Sequence, residues 1–305
     1  MDSLSTANVE FCLDMFKELS NNTVGDNIFF SPLSLLYALS MILLGARGNT
    51  AEQMEKVLHF NHVAELLQPE FKDSAECSQT GRVHSALGAL FRQINQPDST
   101  STLSAANRLY GTQAIAFHQG KSVIVDMMYQ TGTFKLAIIQ EPQMQVLELP
   151  YAGDKLSMII LLPAGSAALE QIEKQLNVKM FYTWTSSSNM VERDVEVHLP
   201  RFRLEINYEL NSLLKSLGMT DVFNQIKADL SGISSAKGLY LSKVLHKSYV
   251  DVNEEGTVAA AATGDNLVVK RLPIRTQFMA NHPFLFFIKH TGTNTILFCG
   301  KLASP

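Results

Sequence analysis

The segment Asp251–His282, DVNEEGTVAAAATGDNLVVKRLPIRTQFMANH, decides how the rest of the chain is interpreted. Two acidic residues and a glycine open a run of small residues, which leads through a short apolar patch to the cationic pair Lys270–Arg271. Small side chains fit an exposed loop as well as a protein interior. A lysine–arginine pair close to Pro273 is a substrate that trypsin-like proteases accept, since a cation fills their acidic specificity pocket. The segment therefore predicts an exposed loop that a protease can cut.

The tract Thr257–Ala262 within this segment leaves two conformations open. Alanine is the best helix former, so a helical turn on the surface is one of them. On a strand, alternate residues would share a face, and all of them are small enough to enter a core. The tract can thus be an exposed loop in one state and a buried central strand in another.

Composition and charge exclude several classes of protein. The chain has 305 residues, is 46% hydrophobic and 18% charged, and carries a formal net charge of -4, enough for one large core or two smaller domains. No basic stripe is present, so we expect no nucleic-acid partner. The N-terminus lacks the charged and apolar blocks of a signal peptide, and the longest apolar run, Leu35–Leu44, is too short to span a bilayer. These features predict a cytoplasmic protein without membrane contact.

Three cysteines lie far apart in the sequence, at Cys12, Cys77 and Cys299. They have no metal-ligand spacing, and their odd number argues against a disulfide framework. Cys12 and Cys299 lie among apolar residues and are predicted to be buried thiols. Cys77 lies in a polar stretch and is the better candidate for exposure.

The sequence contains no recognisable catalytic machinery. The GxSxG, HExxH, GxGxxG and phosphate-loop motifs are missing, and the eight histidines show no metal-ligand spacing. His246 and His282 are predicted to have core or capping roles. Glu254 and Glu255 are adjacent, so on a strand they would face opposite sides and could not act as an acid/base pair. We therefore expect no enzyme, no cofactor and no metal.

Periodicity places helices early and strands late, which predicts an α+β fold rather than an alternating α/β fold. Ser31 and Pro32 form a helix start that runs to about Leu44, and Thr50 with Gln53 forms a capping box for the next helix. The predicted helices are Ala7–Leu19, Pro32–Leu44, Thr50–Leu58, Val83–Ile94, Ala167–Leu176 and Tyr208–Leu217. The predicted strands are Asn27–Phe30, Leu103–Tyr110, Val123–Met128, Thr133–Ile139, Gln145–Leu149, Lys155–Leu162, Val195–Pro200, Phe202–Ile206, Leu239–Val252, Pro283–Lys289 and Thr295–Leu302.

Four stretches together resemble the serpin family of serine protease inhibitors. NIFFSPLSLLYALSMILLGARGNTAEQMEKVL (Asn27–Leu58) resembles its second and third helices, and LSAANRLYG (Leu103–Gly111) resembles a strand of its main sheet. EEGTVAAAATG (Glu254–Gly264) resembles the hinge of the reactive loop, and NHPFLFFIKHTGTNTILFCGKLASP (Asn281–Pro305) resembles the C-terminal signature. The chain is identified as a member of the ovalbumin-type, intracellular branch.

The resemblance implies a single serpin-like domain over residues 1–305, with helices packed on mixed β-sheets and an exposed reactive loop at about 254–275. It implies a suicide inhibitor that traps trypsin-like serine proteases by inserting its cleaved loop into the main sheet. The family's register places the scissile bond after Lys270, and a shift of one residue would place it after Arg271. The implied hinge consists of Glu254, Glu255, Gly256, Thr257, Val258, Ala259, Ala260, Ala261 and Ala262.

One departure from the family concerns the middle of the chain. After about Gln119 the sequence runs directly into Lys121–Val123, and by length roughly 80 residues are missing. This predicts an incomplete main sheet, with an unpaired edge near Lys247–Asn253 that favours loop–sheet polymerisation of an otherwise monomeric protein. The alternative is a non-inhibitory relative that is cleaved as a substrate or acts as a binding protein.

Overall fold

The protein combines helices with one large and one small β-sheet. The computed structural model describes residues 3–23, 25–61, 63, 79–94, 112–119, 121–151, 153–253 and 275–305. The helices are α1 (Ser3–Asn22), α2 (Pro32–Gly45), α3 (Gly48–Val57), α4 (Gln79–Ile94), α5 (Ser166–Gln175), α6 (Val178–Trp184) and α7 (Asn211–Ser216). The strands are β1 (Ile28–Phe30), β2 (Thr112–Gln119), β3 (Lys121–Ile139), β4 (Met144–Pro150), β5 (Leu156–Pro163), β6 (Val191–Pro200), β7 (Phe202–Glu209), β8 (Leu245–Val252), β9 (Thr276–Met279), β10 (Phe284–His290) and β11 (Thr295–Leu302).

The large sheet has the strand order β1-β11-β10-β5-β4-β3-β6-β9, and β2 pairs with β3 beside this path. Its strands pair antiparallel except β6 and β9, which are parallel, so the sheet is mixed. The predicted α+β fold of helices on mixed sheets is therefore confirmed.

Hydrophobic residues cover both faces of the large sheet. Along β5, Met158 and Ile160 pack into one core cluster while Ile159 and Leu161 pack into the other. The side chains of a strand point alternately to opposite faces, so a strand buried on both sides must be continuously apolar. The uniformly apolar sequence of this strand predicted that position. One cluster lies against the helices, and the other lies against the small sheet of β7 and β8.

The helix start predicted at Ser31 is confirmed, and the predicted capping box is wrong. The Ser31 hydroxyl accepts the amide hydrogen bond of Ser34 at 3.3 Å, and Pro32 occupies the first helical position. Helix α3 begins earlier than predicted, at Gly48, where no side chain caps it. The Gln53 side chain instead accepts hydrogen bonds from the backbone amides of Thr220 and Asp221. The Gln53 side chain therefore binds a distant segment of the chain and is not available for the capping box.

Several element boundaries differ from the sequence-based ones. Two predicted strands are a single long strand, β3, because its two halves pair with different neighbours while the backbone stays extended. Helix α7 starts only at Asn211, since the preceding residues, including Tyr208, belong to β7. Strand β8 is shorter than predicted and starts at Leu245. None of the described helices combines the length and the hydrophobicity that a membrane span requires.

Candidate reactive loop and its anchors

The segment singled out by the sequence joins strands of two different sheets. It leaves β8 of the small sheet after Val252 and enters β9, at the edge of the large sheet, at Thr276. The predicted hinge (Glu254–Ala262) and the predicted scissile pair (Lys270 and Arg271) fall on residues 254–274, which lie outside the described residues. What the structure defines is therefore the pair of anchors at which this loop begins and ends.

Strand β8 is held to β1 by polar contacts on its inner face. The Ser31 amide donates a hydrogen bond to Nε2 of His246 at 2.9 Å, and the Ser248 hydroxyl donates to the Phe29 carbonyl at 2.6 Å. On β7, the Tyr208 hydroxyl accepts the Phe29 amide hydrogen bond at 3.3 Å. These bonds satisfy backbone groups of β1 and of Ser31, which follows it, and β1 has β11 as its neighbour in the large sheet. The start of the loop is therefore fixed to a buried strand.

Burial also shifts the pKa values of His246 and Tyr208, the two ring side chains that bind Ser31 and Phe29. Desolvation lowers the pKa of His246, which favours the neutral ring whose Nε2 can accept the Ser31 amide hydrogen bond. Burial likewise raises the pKa of Tyr208 to about 12. Both groups are therefore uncharged at neutral pH, as the apolar surroundings require.

The small sheet consists of only two strands among the described residues. Strand β8 pairs with β7 from Phe202↔Val252 to Glu209↔Leu245, and no other described strand borders it. Its outer face is solvated: Lys247 forms an ion pair with Glu205 at 2.7 Å, and Arg203 lies over the Tyr249 ring at 4.9 Å. The edge predicted near Lys247–Asn253 thus lacks a second strand partner within the described chain.

The other anchor, β9, lies beside an open cleft. The cleft has a volume of about 420 Å³ and lies between β9 and the ends of β3, β4 and β5. Gln145 donates a hydrogen bond to the Gln277 carbonyl at 3.1 Å, and Nε2 of His282 lies 2.5 Å from the Pro163 carbonyl. His282 therefore holds the chain just after β9 to the end of β5, and it caps no helix.

Strands β2 and β3 form an antiparallel hairpin near Gln119, after which the sequence predicted missing residues. Their register pairs Thr112 with Met128 and continues to Gln119 with Lys121. Phe117 is 1% exposed and packs into the core cluster shared with the small sheet. Sequence reasoning missed β2. The alternation of Ile115 and Phe117 with smaller residues was the available signal.

The described residues offer no metal site as a second candidate. Within the described ranges, no group of three or more His, Cys, Asp or Glu side chains is placed to hold a metal ion. The predicted strand Leu103–Tyr110 and Cys77 lie outside the described residues, so both remain predictions.

Comparisons with known proteins identify the family. Residues 6–120 and 112–305 match the family model described as Serpin (serine protease inhibitor). Human Serpin B11 is 58% identical over 392 aligned positions, and the horse leukocyte elastase inhibitor is 36% identical over 396, with both chains fully covered in each case. The solved structure of uncleaved ovalbumin superposes with a TM-score of 0.80 at 30% identity, covering 99% of this chain and all of that one. The chain belongs to the serpin family, and its relatives are of the ovalbumin type.

The same comparisons show that the chain is shorter than its relatives. The 392 positions aligned with human Serpin B11 exceed the 305 residues of this chain by 87, so the relative has residues that this chain lacks. The two segments matched to the family model overlap at residues 112–120, which include β2. The match to the family model is therefore divided at this hairpin.

The sequence-based statement on enzymatic activity is corrected. It excluded catalysis because familiar motifs were missing. The family model instead assigns the chain to the serine protease inhibitors, whose counterpart enzyme is the protease. The assignment of the chain to the serine protease inhibitors is based on this match.

Proposed function

We propose that the chain presents the bond after Lys270 to trypsin-like serine proteases and traps them as a suicide inhibitor. Membership of the serpin family and the similarity to the leukocyte elastase inhibitor support inhibition. The observation that carries the proposal is that residues 254–274 run from a clamped strand, β8, to the edge strand of a different sheet. The Lys270–Arg271 pair supplies the cation that an acidic specificity pocket binds.

The proposed chemistry begins as ordinary proteolysis. The protease serine adds to the Lys270 carbonyl, the bond to Arg271 breaks, and the Arg271 amine leaves with a proton. Lys270 then remains bound to the protease as an acyl ester. Insertion of the hinge, Glu254–Ala262, beside β8 would pull this ester away from the catalytic water before it is hydrolysed. Clamping of β8 to β1 would keep the receiving edge in place during that movement.

A second candidate function is cleavage without trapping, in which the chain is a substrate or a binding protein. Within the described chain, β8 has β7 as its only strand neighbour, and relatives contain 87 positions that are missing here. A strand inserted at an edge gains hydrogen-bond partners on one side only. Insertion would then release less free energy to compete with hydrolysis of the ester.

Incubation with trypsin separates the two candidates. Trapping predicts a covalent adduct that survives denaturing electrophoresis and a loss of trypsin activity in proportion to added inhibitor. Clean cleavage with full residual trypsin activity would contradict trapping and support the substrate role. The double variant Lys270→Ala/Arg271→Ala should show neither the adduct nor the cleavage in the loop. The control Lys237→Ala, at an exposed lysine outside the loop, should behave like the native chain.

We also propose a cytoplasmic monomer whose partner is a trypsin-like protease. Buried free thiols at Cys12 and Cys299 fit a reducing compartment, and so does similarity to ovalbumin-type relatives. The edge of β8 that has no strand partner among the described residues is the place where the loop of a second copy would pair in loop–sheet polymers. Cell fractionation and size-exclusion chromatography with light scattering test these two points.

A further inference from the structure

Strand β8 has β7 along one edge, and no other described strand borders its opposite edge. Just before this ladder, the Leu210 amide donates to the Val244 carbonyl at 2.9 Å. Hydrogen-bonded pairs alternate along an antiparallel ladder, so the even-numbered residues of β8 bond to β7. The backbone groups that point away from β7 belong to its odd-numbered residues, which are Leu245, Lys247, Tyr249 and Asp251. Such groups form a template for another strand.

The chain that joins α4 to β2, residues 95–111, leaves α4 close to the start of β8. Near the end of α4, the centroid of the Phe91 ring lies 4.3 Å from that of Tyr37 on α2. Along α2, Tyr37 lies about 9 Å from Ser31. The Ser31 amide in turn donates to Nε2 of His246, the second residue of β8. These contacts bring the end of α4 within reach of the first residues of β8.

The same stretch enters β2 close to the end of β8. Near the start of β2, Ala114 lies opposite Asp126 of β3, whose carbonyl accepts the Arg201 amide hydrogen bond at 2.8 Å. The next residue, Phe202, pairs with Val252, the last residue of β8. Paired strands lie about 5 Å apart, so this path from β2 to β8 is no longer than about 20 Å. A segment that joins α4 to β2 along this edge therefore runs in the same direction as β8.

The predicted strand Leu103–Tyr110 within this stretch fits the edge in length and pattern. It has eight residues, as β8 has, and eight extended residues span about 27 Å. Its apolar residues Leu103, Ala105 and Leu109 occupy alternate positions, with Asn107 as the exception, so one face can lie on a core. Strands β8 and β2 already contribute to one core cluster, which such a strand would extend.

We propose that Leu103–Tyr110 pairs in parallel with the edge of β8 that faces away from β7, as the third strand of the small sheet. Tethering favours this occupant over a second copy of the chain. A segment held near the edge at both ends has an effective concentration on the order of millimolar, which free chains do not reach at ordinary concentrations. The chain would in this way complete its small sheet although it lacks residues that its relatives have.

This pairing goes beyond the proposed function, because it concerns the uncut protein and needs no protease. It nevertheless affects trapping. A hinge that inserts between β8 and Leu103–Tyr110 would find hydrogen-bond partners on both sides, whereas a hinge at a bare edge would find them on one side only.

Hydrogen exchange of the uncut, full-length chain tests the pairing residue by residue. The edge amides of Lys247 and Tyr249 should exchange at least about 100-fold more slowly than unstructured amides, as the β7-bonded amide of Ser248 does. The double variant Ala105→Pro/Ala106→Pro removes a donor that faces β8 whichever of the two residues pairs. It should restore fast exchange at the edge and leave Ser248 protected.

Two results of this experiment would overturn the proposal. Fast exchange of Lys247 and Tyr249 in the native chain would show that the edge is bare. Slow exchange that persists in the proline variant would show that a different segment pairs there.

Engineered disulfides test the same neighbours in space. With Cys77→Ser as background, Ala106→Cys is combined with Lys247→Cys or with Tyr249→Cys and oxidised mildly. Adjacent strands bring Cα atoms within the roughly 7 Å that a disulfide allows, so at least one combination should give a cross-linked monomer. Asn207→Cys is the matched control, because Asn207 pairs with Lys247 from β7 and lies one strand further away.

The cross-linking also has outcomes that contradict the proposal. No cross-link to either β8 position would exclude the segment as the neighbour of β8. A cross-linked dimer as the main product would assign the edge to a second copy. Neither experiment uses a protease, so a failure of trapping would leave both results unchanged.

Discussion

At the residue scale, the start of the candidate reactive loop is anchored by a few side chains of β8. His246 and Ser248 bind the backbone of β1 from the inner face, while residues of the outer face remain in water. The sequence predicted a core or capping role for His246 because no catalytic partner was nearby. It could not identify Ser31 as the partner, because the two residues are 215 positions apart and only the fold brings them together.

The ionisation of His246 predicts how stability depends on pH. Above the unfolded pKa of about 6.5 the ring is neutral in both states, so the full stability is present. Below it the unfolded chain takes up a proton that the folded protein resists, because burial lowers the folded pKa. Burial lowers the pKa of His290 as well, and both act in the same direction. The free energy of unfolding should therefore fall as pH decreases below about 6.5.

Denaturant unfolding at several pH values checks this dependence. In His246→Gln the amide oxygen can still accept the Ser31 hydrogen bond but cannot be protonated, so the slope below about pH 6.5 should be reduced. His246→Phe leaves the Ser31 amide without its acceptor and should lower stability by about 1–3 kcal/mol. An unchanged pH profile in His246→Gln would contradict the assigned role.

At the element scale, the strands of the large sheet are joined by one partly buried carboxylate. Burial of Glu148 on β4 opposes its ionisation, but Lys289, the Ser157 hydroxyl and Lys135 outweigh that effect and hold the pKa of Glu148 below its usual value. Glu148→Gln should lower stability by about 1–3 kcal/mol, since it leaves the largely buried Lys289 poorly paired. Lys135→Ala, at the more exposed partner, should cost less than about 1 kcal/mol.

Glu148 also makes the free energy of unfolding depend on pH, but here the stabilising form is the charged carboxylate. Because its folded pKa is depressed, its contribution is fully present above the unfolded value of about 4.5. It is lost as pH falls through the lower folded pKa. Unfolding curves between neutral and acid pH should show this loss in the native protein and not in Glu148→Gln. Parallel curves for the two proteins would argue against the ion pairs.

Strand β2, which forms a hairpin with β3, is one of the elements that sequence reasoning missed, together with α6 and β9. It lies where the match to the family model is divided, so the family pattern was no guide to its pairing. Phe117→Ala should destabilise the protein by about 3–5 kcal/mol, because it empties a fully buried site. Ile124→Ser is the matched control, since Ile124 is 77% exposed and should be nearly neutral. Equal, small effects in chemical denaturation would show that the hairpin does not cover the core.

At the scale of the whole molecule, the order of helices and strands was predictable and the fate of the main sheet was not. The helix pattern before Leu58 and the apolar strands after Lys155 reflect burial, which hydrophobic periodicity records directly. The missing residues could be inferred because the chain of 305 residues is shorter than a full member of the family. How the chain closes the gap depends on pairing between strands, which no local pattern encodes. The candidate scissile bond lies in residues 254–274, outside the described residues, so its assignment depends on the sequence alone.

Loop insertion would change the stability of the whole molecule. If the cut loop pairs with the open edge of β8, cleavage should raise the Tm, because new backbone hydrogen bonds form within a clamped sheet. Calorimetry before and after limited proteolysis measures this change. An unchanged or lower Tm would mean that the edge does not accept the strand, and the substrate role would then be the better description.

The central claim is that a trypsin-like protease recognises this chain at the bond after Lys270. The most direct measurement is the mass and N-terminal sequence of the C-terminal fragment released in the first turnover with trypsin. The account predicts a single early fragment, Arg271–Pro305, together with a protease adduct that contains the chain up to Lys270. Early cleavage elsewhere, with the Lys270–Arg271 bond intact, would contradict it.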